Sequence, residues 1–137
     1  LSYIKTKSEI NALSAQFLID QSLYASSVHC AYYSVFQMLI HKLAGFRNIS
    51  INQLNQLVES ANKSTHKYVV NEFCVHLRSN SKLGFDTYQL RNLKNEIKDL
   101  KQFRVESDYH DKEIDSSKSE QALQKSISIL HTIKHLQ

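Results

Sequence analysis

The sequence predicts an all-α fold, an up-and-down bundle of four to five helices plus a short extra helix, and three observations carry that expectation. The chain has no proline and only two glycines, Gly45 and Gly84, too few turn residues for a β-rich protein of 137 residues. Apolar residues recur at steps of three and four over long runs, the spacing that lines one face of an α-helix. Hydroxyl residues followed three positions on by Glu or Gln open several of those runs, as capping boxes do.

The first helix is expected to start near Thr6, because Thr6-Lys7-Ser8-Glu9 has capping-box spacing. Ile10, Leu13 and Phe17 follow as its apolar stripe, widened by Leu18. A second helix is predicted over 24–44, with Gly45 as its C-terminal cap. Val28, Ala31, Tyr32, Val35, Leu39 and Leu43 form its stripe, while Phe36, Met38 and Ile40 make it apolar on more than one side. Such a helix belongs at the centre of a bundle. Ser50-Ile51-Asn52-Gln53 can cap a short helix carrying Leu54, Leu57 and Val58.

A break at 62–65 precedes a helix with Tyr68, Val69, Phe73, His76 and Leu77 that ends near Arg78, and 79–86 reads as a loop. Over 86–106, Leu90, Leu93, Ile97 and Leu100 step by three, four and three, so the next stripe position is Arg104. A charge there is unexpected from packing, because desolvating it is costly unless it is paired or faces a wet cleft. Residues 106–115 hold five acidic residues and one lysine, which suits an exposed loop. Ser117-Lys118-Ser119-Glu120 then opens a last helix with Leu123, Ile127, Leu130 and Ile133.

At this length there is room for one domain, 1–137, around one core. An apolar fraction of 42% argues against wholesale disorder. The longest apolar-leaning stretch, 28–40, is interrupted by His29, Ser34 and Gln37, so no membrane span is expected. The chain opens on Leu1 rather than Met, compatible with a trimmed start, and shows no signal-peptide pattern. Cys30 and Cys74 lie in helical runs without C-x-x-C spacing, and buried free thiols of a cytoplasmic protein are the expected reading.

Charge is uneven. Residues 42–104 carry 11 Lys and Arg against 5 Asp and Glu, a local +6, and the rest carries 6 against 8, or −2. A basic middle suits a polyanion such as RNA, and equally a solvated helix surface.

The chemistry concentrates in Phe103-Arg104-Val105-Glu106-Ser107-Asp108-Tyr109-His110. Arg104 offers a planar fork of donors suited to a phosphate, and His110 can exchange protons near neutral pH. These two groups suffice for metal-free RNA cleavage: the 2′-hydroxyl is deprotonated, attacks the adjacent phosphorus, and a cation stabilises the developing charge.

His29 and Tyr33 share a face of the second helix and either line the same cleft or form a hydrogen-bonded core pair. Asp108 and Asp111 flank His110, to orient it or only to keep a loop soluble. Lys94, Lys98 and Lys101 run along one side of a helix as candidate contacts to an RNA backbone, or as a plain exposed face. His131 and His135 have metal-ligand spacing but no evident third ligand, and no Gly-rich phosphate loop appears. No metal or cofactor is expected.

Two segments resemble the HEPN family. Ser27-Val28-His29-Cys30-Ala31-Tyr32-Tyr33-Ser34-Val35-Phe36 is similar to the A-V-x-R-A-Y-Y-A-x-F helix of small single-domain HEPN proteins. Arg104-Val105-Glu106-Ser107-Asp108-Tyr109 resembles their later R-x-x-A-D-Y segment, about 70 residues on. The resemblance implies a helical bundle that dimerises, and in active members a metal-independent endoribonuclease with an R-x(4–6)-H motif from each protomer in one cleft. Arg104 and His110 fit that motif with five intervening residues. It further implies a toxin or antiphage role, often beside a nucleotidyltransferase antitoxin, or a catalytically inactive interaction module. The chain departs from the pattern at Cys30, where Arg is common, and at Tyr109, where the commonest spacing puts His.

Overall fold

The architecture follows from burying the apolar stripes against one another. A computed structural model describes residues 2–136 and holds six α-helices: α1 (Ile4–Asp20), α2 (Tyr24–Arg47), α3 (Ile51–Ala61), α4 (Thr65–Ser79), α5 (Thr87–Tyr109) and α6 (Ser116–Lys134). A 3₁₀ turn, Ser81–Leu83, links α4 to α5, and no strand occurs among the described residues. Five long helices and the short α3 match the predicted inventory.

The helix apolar on more than one side is central, as expected: α2 packs against all five others. Val28, Val35, Met38, Leu39 and Leu43 are buried there, and one apolar cluster joins them to Leu54, Phe73, Ile97, Leu100, Ile129 and Ile133. Each helix follows its neighbour in sequence into contact, and α5 and α6 close the bundle by packing on each other and on α2.

The caps depart from the expectation in three places. α1 starts two residues early, so Thr6 lies inside it and the Thr6–Glu9 box does not form; the amide of Ile4 donates to Ser2 Oγ (3.3 Å) instead. α2 continues through Gly45 to Arg47 and ends at Asn48, whose left-handed backbone (φ 54°) closes the helix as Gly45 was expected to. The last cap moves from Ser117 to Asp115, whose extended backbone lets its carboxylate accept from the amide of Lys118 (2.8 Å). The Ser50–Gln53 box forms as expected, and Asp86 with Gln89 makes a second one. At the far end of α6, Lys42 Nζ donates to the carbonyls of Lys134 (3.0 Å) and Leu136 (2.8 Å), satisfying orphan acceptors of that terminus.

The largest correction concerns α1. Its apolar stripe points into solvent: Ile10, Leu13 and Phe17 are 56%, 75% and 62% exposed. The face against α2 carries the small residues Ser8 and Ala15. Ser8 Oγ donates to the carbonyl of Ser34, Ser27 Oγ to that of Ala15 (2.7 Å), and Asn11 Nδ2 to Gln37 Oε1 (2.8 Å). Small side chains let the two helices approach closely, and side chain–backbone bonds fix the contact where bulk would hold them apart. In α6, likewise, Ile127 is half exposed while Leu123, Leu130 and Ile133 are buried.

Candidate functional site

On α5 the stripe residues Leu90, Leu93, Ile97 and Leu100 are all buried, and Arg104 continues their line. Its side chain is only 13% exposed. The guanidinium carbon lies 5.0 Å from the ring centre of Tyr32, 5.7 Å from Tyr33 and 5.5 Å from Tyr109, so aromatic faces solvate the charge on three sides. α5 runs three residues further than predicted, and this extra turn makes the site. It places Asp108 one turn beyond Arg104, with Asp108 Oδ2 3.7 Å from Arg104 Nη1, and it brings Tyr109 Oη to 3.5 Å from the same nitrogen. Arg104 Nε is buried and has no hydrogen-bond acceptor among the described residues.

Asp108 also reaches across to α2, where its carboxylate accepts from His29 Nδ1 at 2.8 Å. A carboxylate can only accept, so His29 donates to it from Nδ1. The His29 ring lies against Tyr33 (centroids 4.6 Å apart). His29 and Tyr33 thus both stand beside Arg104, His29 through Asp108 and Tyr33 through its ring. Ser107 Oγ donates to the carbonyl of Ala25 (2.7 Å), fixing the end of α5 to the start of α2. Glu106 is held by Lys112 (3.2 Å) and Lys118 (3.9 Å), which ties the same turn to the following loop and α6. Beside the His29–Asp108 pair opens a recess of about 350 Å³ lined by Ser26, Cys30 and Ser107 among others.

A histidine that the sequence did not single out completes the inner wall. His66, in the first turn of α4, lies 2.8 Å through Nδ1 from Tyr32 Oη and stacks with Tyr32 and Phe36. Burial, then Lys101 and Arg104, hold its pKa down to about 4 from the ordinary 6.5. The imidazole is thus neutral at pH 7. Because the fold depresses this pKa, the associated stability is present above about pH 6.5 and is lost as pH falls towards about 4. His66→Gln, which does not titrate, is expected to show a flatter melting temperature than wild type across that window; parallel curves in a thermal melt series would refute the assignment.

The lysines predicted as backbone contacts do come together. Lys94, Lys98 and Lys101 line one wall of a groove of about 370 Å³ between α4 and α5, with His66 and Lys67 on the other wall and Val70 and Val105 in its floor. The Lys101 pKa is pushed down by burial, then by the nearby charges of Arg104 and Lys67.

His110 stands apart from this cluster. It is the exposed C-cap of α5, its amide bonded to the Glu106 carbonyl (3.3 Å), and its side chain makes no hydrogen bond among the described residues. Asp108 serves His29 instead of His110. His131 and His135 touch edge to face (5.0 Å), and no group of three or more His, Cys, Asp or Glu that could hold a metal lies among the described residues. Cys30 and Cys74 are free thiols. No helix is long and apolar enough to cross a membrane. No family model, curated protein or solved structure matches the chain.

Proposed function

We propose that the chain is a metal-independent endoribonuclease of HEPN type, with Arg104 as the phosphate-binding cation and His29, held by Asp108, as the proton-transfer group. The observation that carries this reading is an arginine set in an aromatic wall with its Nε unpartnered, beside a carboxylate-oriented histidine at the edge of an open recess. A buried donor without an acceptor costs about 1–3 kcal/mol.

In the reaction, His29 Nε2 takes the proton of a ribose 2′-hydroxyl. The 2′-oxygen then attacks the adjacent phosphorus, and the P–O5′ bond breaks. A 2′,3′-cyclic phosphate and a protonated 5′-hydroxyl result. Arg104 stabilises the extra negative charge on the phosphoryl oxygens, and the lysines of the α4–α5 groove hold flanking phosphates. In the family arrangement a second copy brings its own His110 to this cleft, which would protonate the leaving 5′-oxygen. A toxin or antiphage role goes with this reading.

The test is incubation of the purified chain with varied RNAs in EDTA. Cleavage with cyclic-phosphate ends is expected, lowered by about 10²–10⁴-fold in His29→Ala. Loss in His110→Ala alone would transfer the proton-transfer role to that residue and favour the shared cleft. Intact RNAs, or unimpaired cleavage by both variants, would end the proposal.

A second reading rests on a specific contact. Asp108 and Tyr109 already occupy Arg104 Nη1, as they would in a catalytically inactive interaction module whose arginine is structural. That module would partner a nucleotidyltransferase or another defence protein. It predicts no cleavage and a stable complex from the native host.

A further inference from the structure

We infer that α1 pairs two copies of this chain, antiparallel, about a two-fold axis at Leu13. The face of α1 turned away from α2 carries Ile10, Leu13 and Phe17, more than half exposed, although the sequence pattern is that of a buried stripe. Tyr3, just before the helix, and Leu23, just after it, extend the apolar surface and are 67% and 52% exposed.

The order of these residues is nearly symmetrical about Leu13. Tyr3 and Leu23 lie ten positions to either side of Leu13, and Ile10 and Phe17 lie three and four positions from it. An isologous two-fold contact demands that property, since each residue must meet its own mirror position. Antiparallel pairing at Leu13 sets Leu13 against itself and Tyr3 opposite Leu23, and brings Ile10 to within one position of Phe17 of the second copy.

Charge selects the same direction. The N-terminal end of α1 carries Lys5 and Lys7 against Glu9, which pairs with Lys5 (3.6 Å), and its C-terminal end carries Asp20. Lys7 has no acidic partner among the described residues, and Asp20 accepts only a 3.1 Å hydrogen bond from Gln16. Head-to-tail alignment brings the basic end of each copy to the acidic end of the other and opposes the helix dipoles; parallel alignment stacks like ends.

Area is adequate as well. The five side chains present on the order of 600 Å² per copy, most of the roughly 800 Å² per partner in a standard interface, and the polar rim supplies the remainder. That is also at the upper end of the apolar patches monomers expose.

This pairing leaves each Arg104 cleft open. α1 rests on Ser27 and Ser34 of α2, whereas Arg104 rests on Tyr32 and Tyr33, on a different side of the same helix. The α1 contact therefore differs from any contact that joins two Arg104 clefts, and it does not rest on the nuclease reading.

Light scattering on the full chain at tens of micromolar is expected to give twice the mass of the Leu13→Glu variant, which for the α1 contact alone is twice the 15.9 kDa chain mass. Leu13→Glu places two carboxylates on the axis and should weaken association through α1 by at least ~100-fold, halving the wild-type mass and leaving intact any contact that joins two Arg104 clefts. Its helical circular dichroism and any RNA cleavage should stay at the wild-type level, because Leu13 is exposed and lines no part of the cleft. Leu13→Cys should form a covalent dimer on oxidation, whereas Gln124→Cys on α6 should not. A wild-type chain that is monomeric alone, including one that binds a different protein through α1, overturns the inference. So does a wild-type mass that Leu13→Glu fails to halve.

Discussion

Arg104→Ala is expected to lower RNA cleavage by roughly 10²–10³-fold, the usual cost of removing one pre-positioned donor from a transition-state anion. The effect should appear in kcat more than in KM. On the nuclease reading the groove lysines would hold the substrate in both ground and transition states, while the guanidinium would act on charge that develops only during attack. Arg104→Lys should rescue little. A lysine at this position lacks the planar fork that lies against Tyr32, Tyr33 and Tyr109, and its ammonium is a more strongly hydrated point charge. Stability should change far less than activity, because the substitution also removes a buried Nε that has no partner among the described residues. Single-turnover cleavage of a defined RNA by wild type and both variants is the measurement. Equal rates for Arg104→Ala and wild type would remove this residue from the mechanism and leave the interaction-module reading.

Phe73→Ala should be the most damaging single change to the fold. Phe73 is fully buried, at 0% exposure, and stacks on Phe46 with ring centres 5.7 Å apart, joining α4 to α2. Truncating it removes the transfer energy of a phenyl ring and leaves a cavity that the packed helices can only partly close, about 3–5 kcal/mol in all. That is a third or more of the roughly 5–15 kcal/mol by which small domains are stable. Because α4 carries His66 and Lys67, loosening it should also weaken the groove that they line. Urea unfolding gives the difference directly. A cost below about 1 kcal/mol would mean that α4 is not anchored through this ring.

The sequence showed most helices for local reasons. A stripe at steps of three and four is a property of neighbours on one helix, and a cap such as Ser50 with Gln53 is complete within four residues. Arg104 was legible for the same reason, as a charge on an otherwise apolar line. The end of α5 was less legible, because an acidic run reads as loop. In the fold Glu106 pairs with Lys112 and Lys118, and Asp108 accepts from His29 and lies 3.7 Å from Arg104, so the helix continues to Tyr109.

The sequence by itself determined that this chain is helical, that α2 lies at its centre, and that Arg104 is out of place for packing alone. Only the tertiary structure decided which histidine stands beside that arginine. His29 and Asp108 are 79 positions apart, and His66 meets Tyr32 across 34, so no spacing rule could have paired them. Only the tertiary structure, too, decided that the stripe of α1 faces outward. Periodicity shows that a helix has an apolar face; what covers that face depends on which side of the helix its neighbours can approach most closely. Here the small side of α1, with its hydroxyl-to-carbonyl bonds, took α2, and left Ile10, Leu13 and Phe17 for another surface.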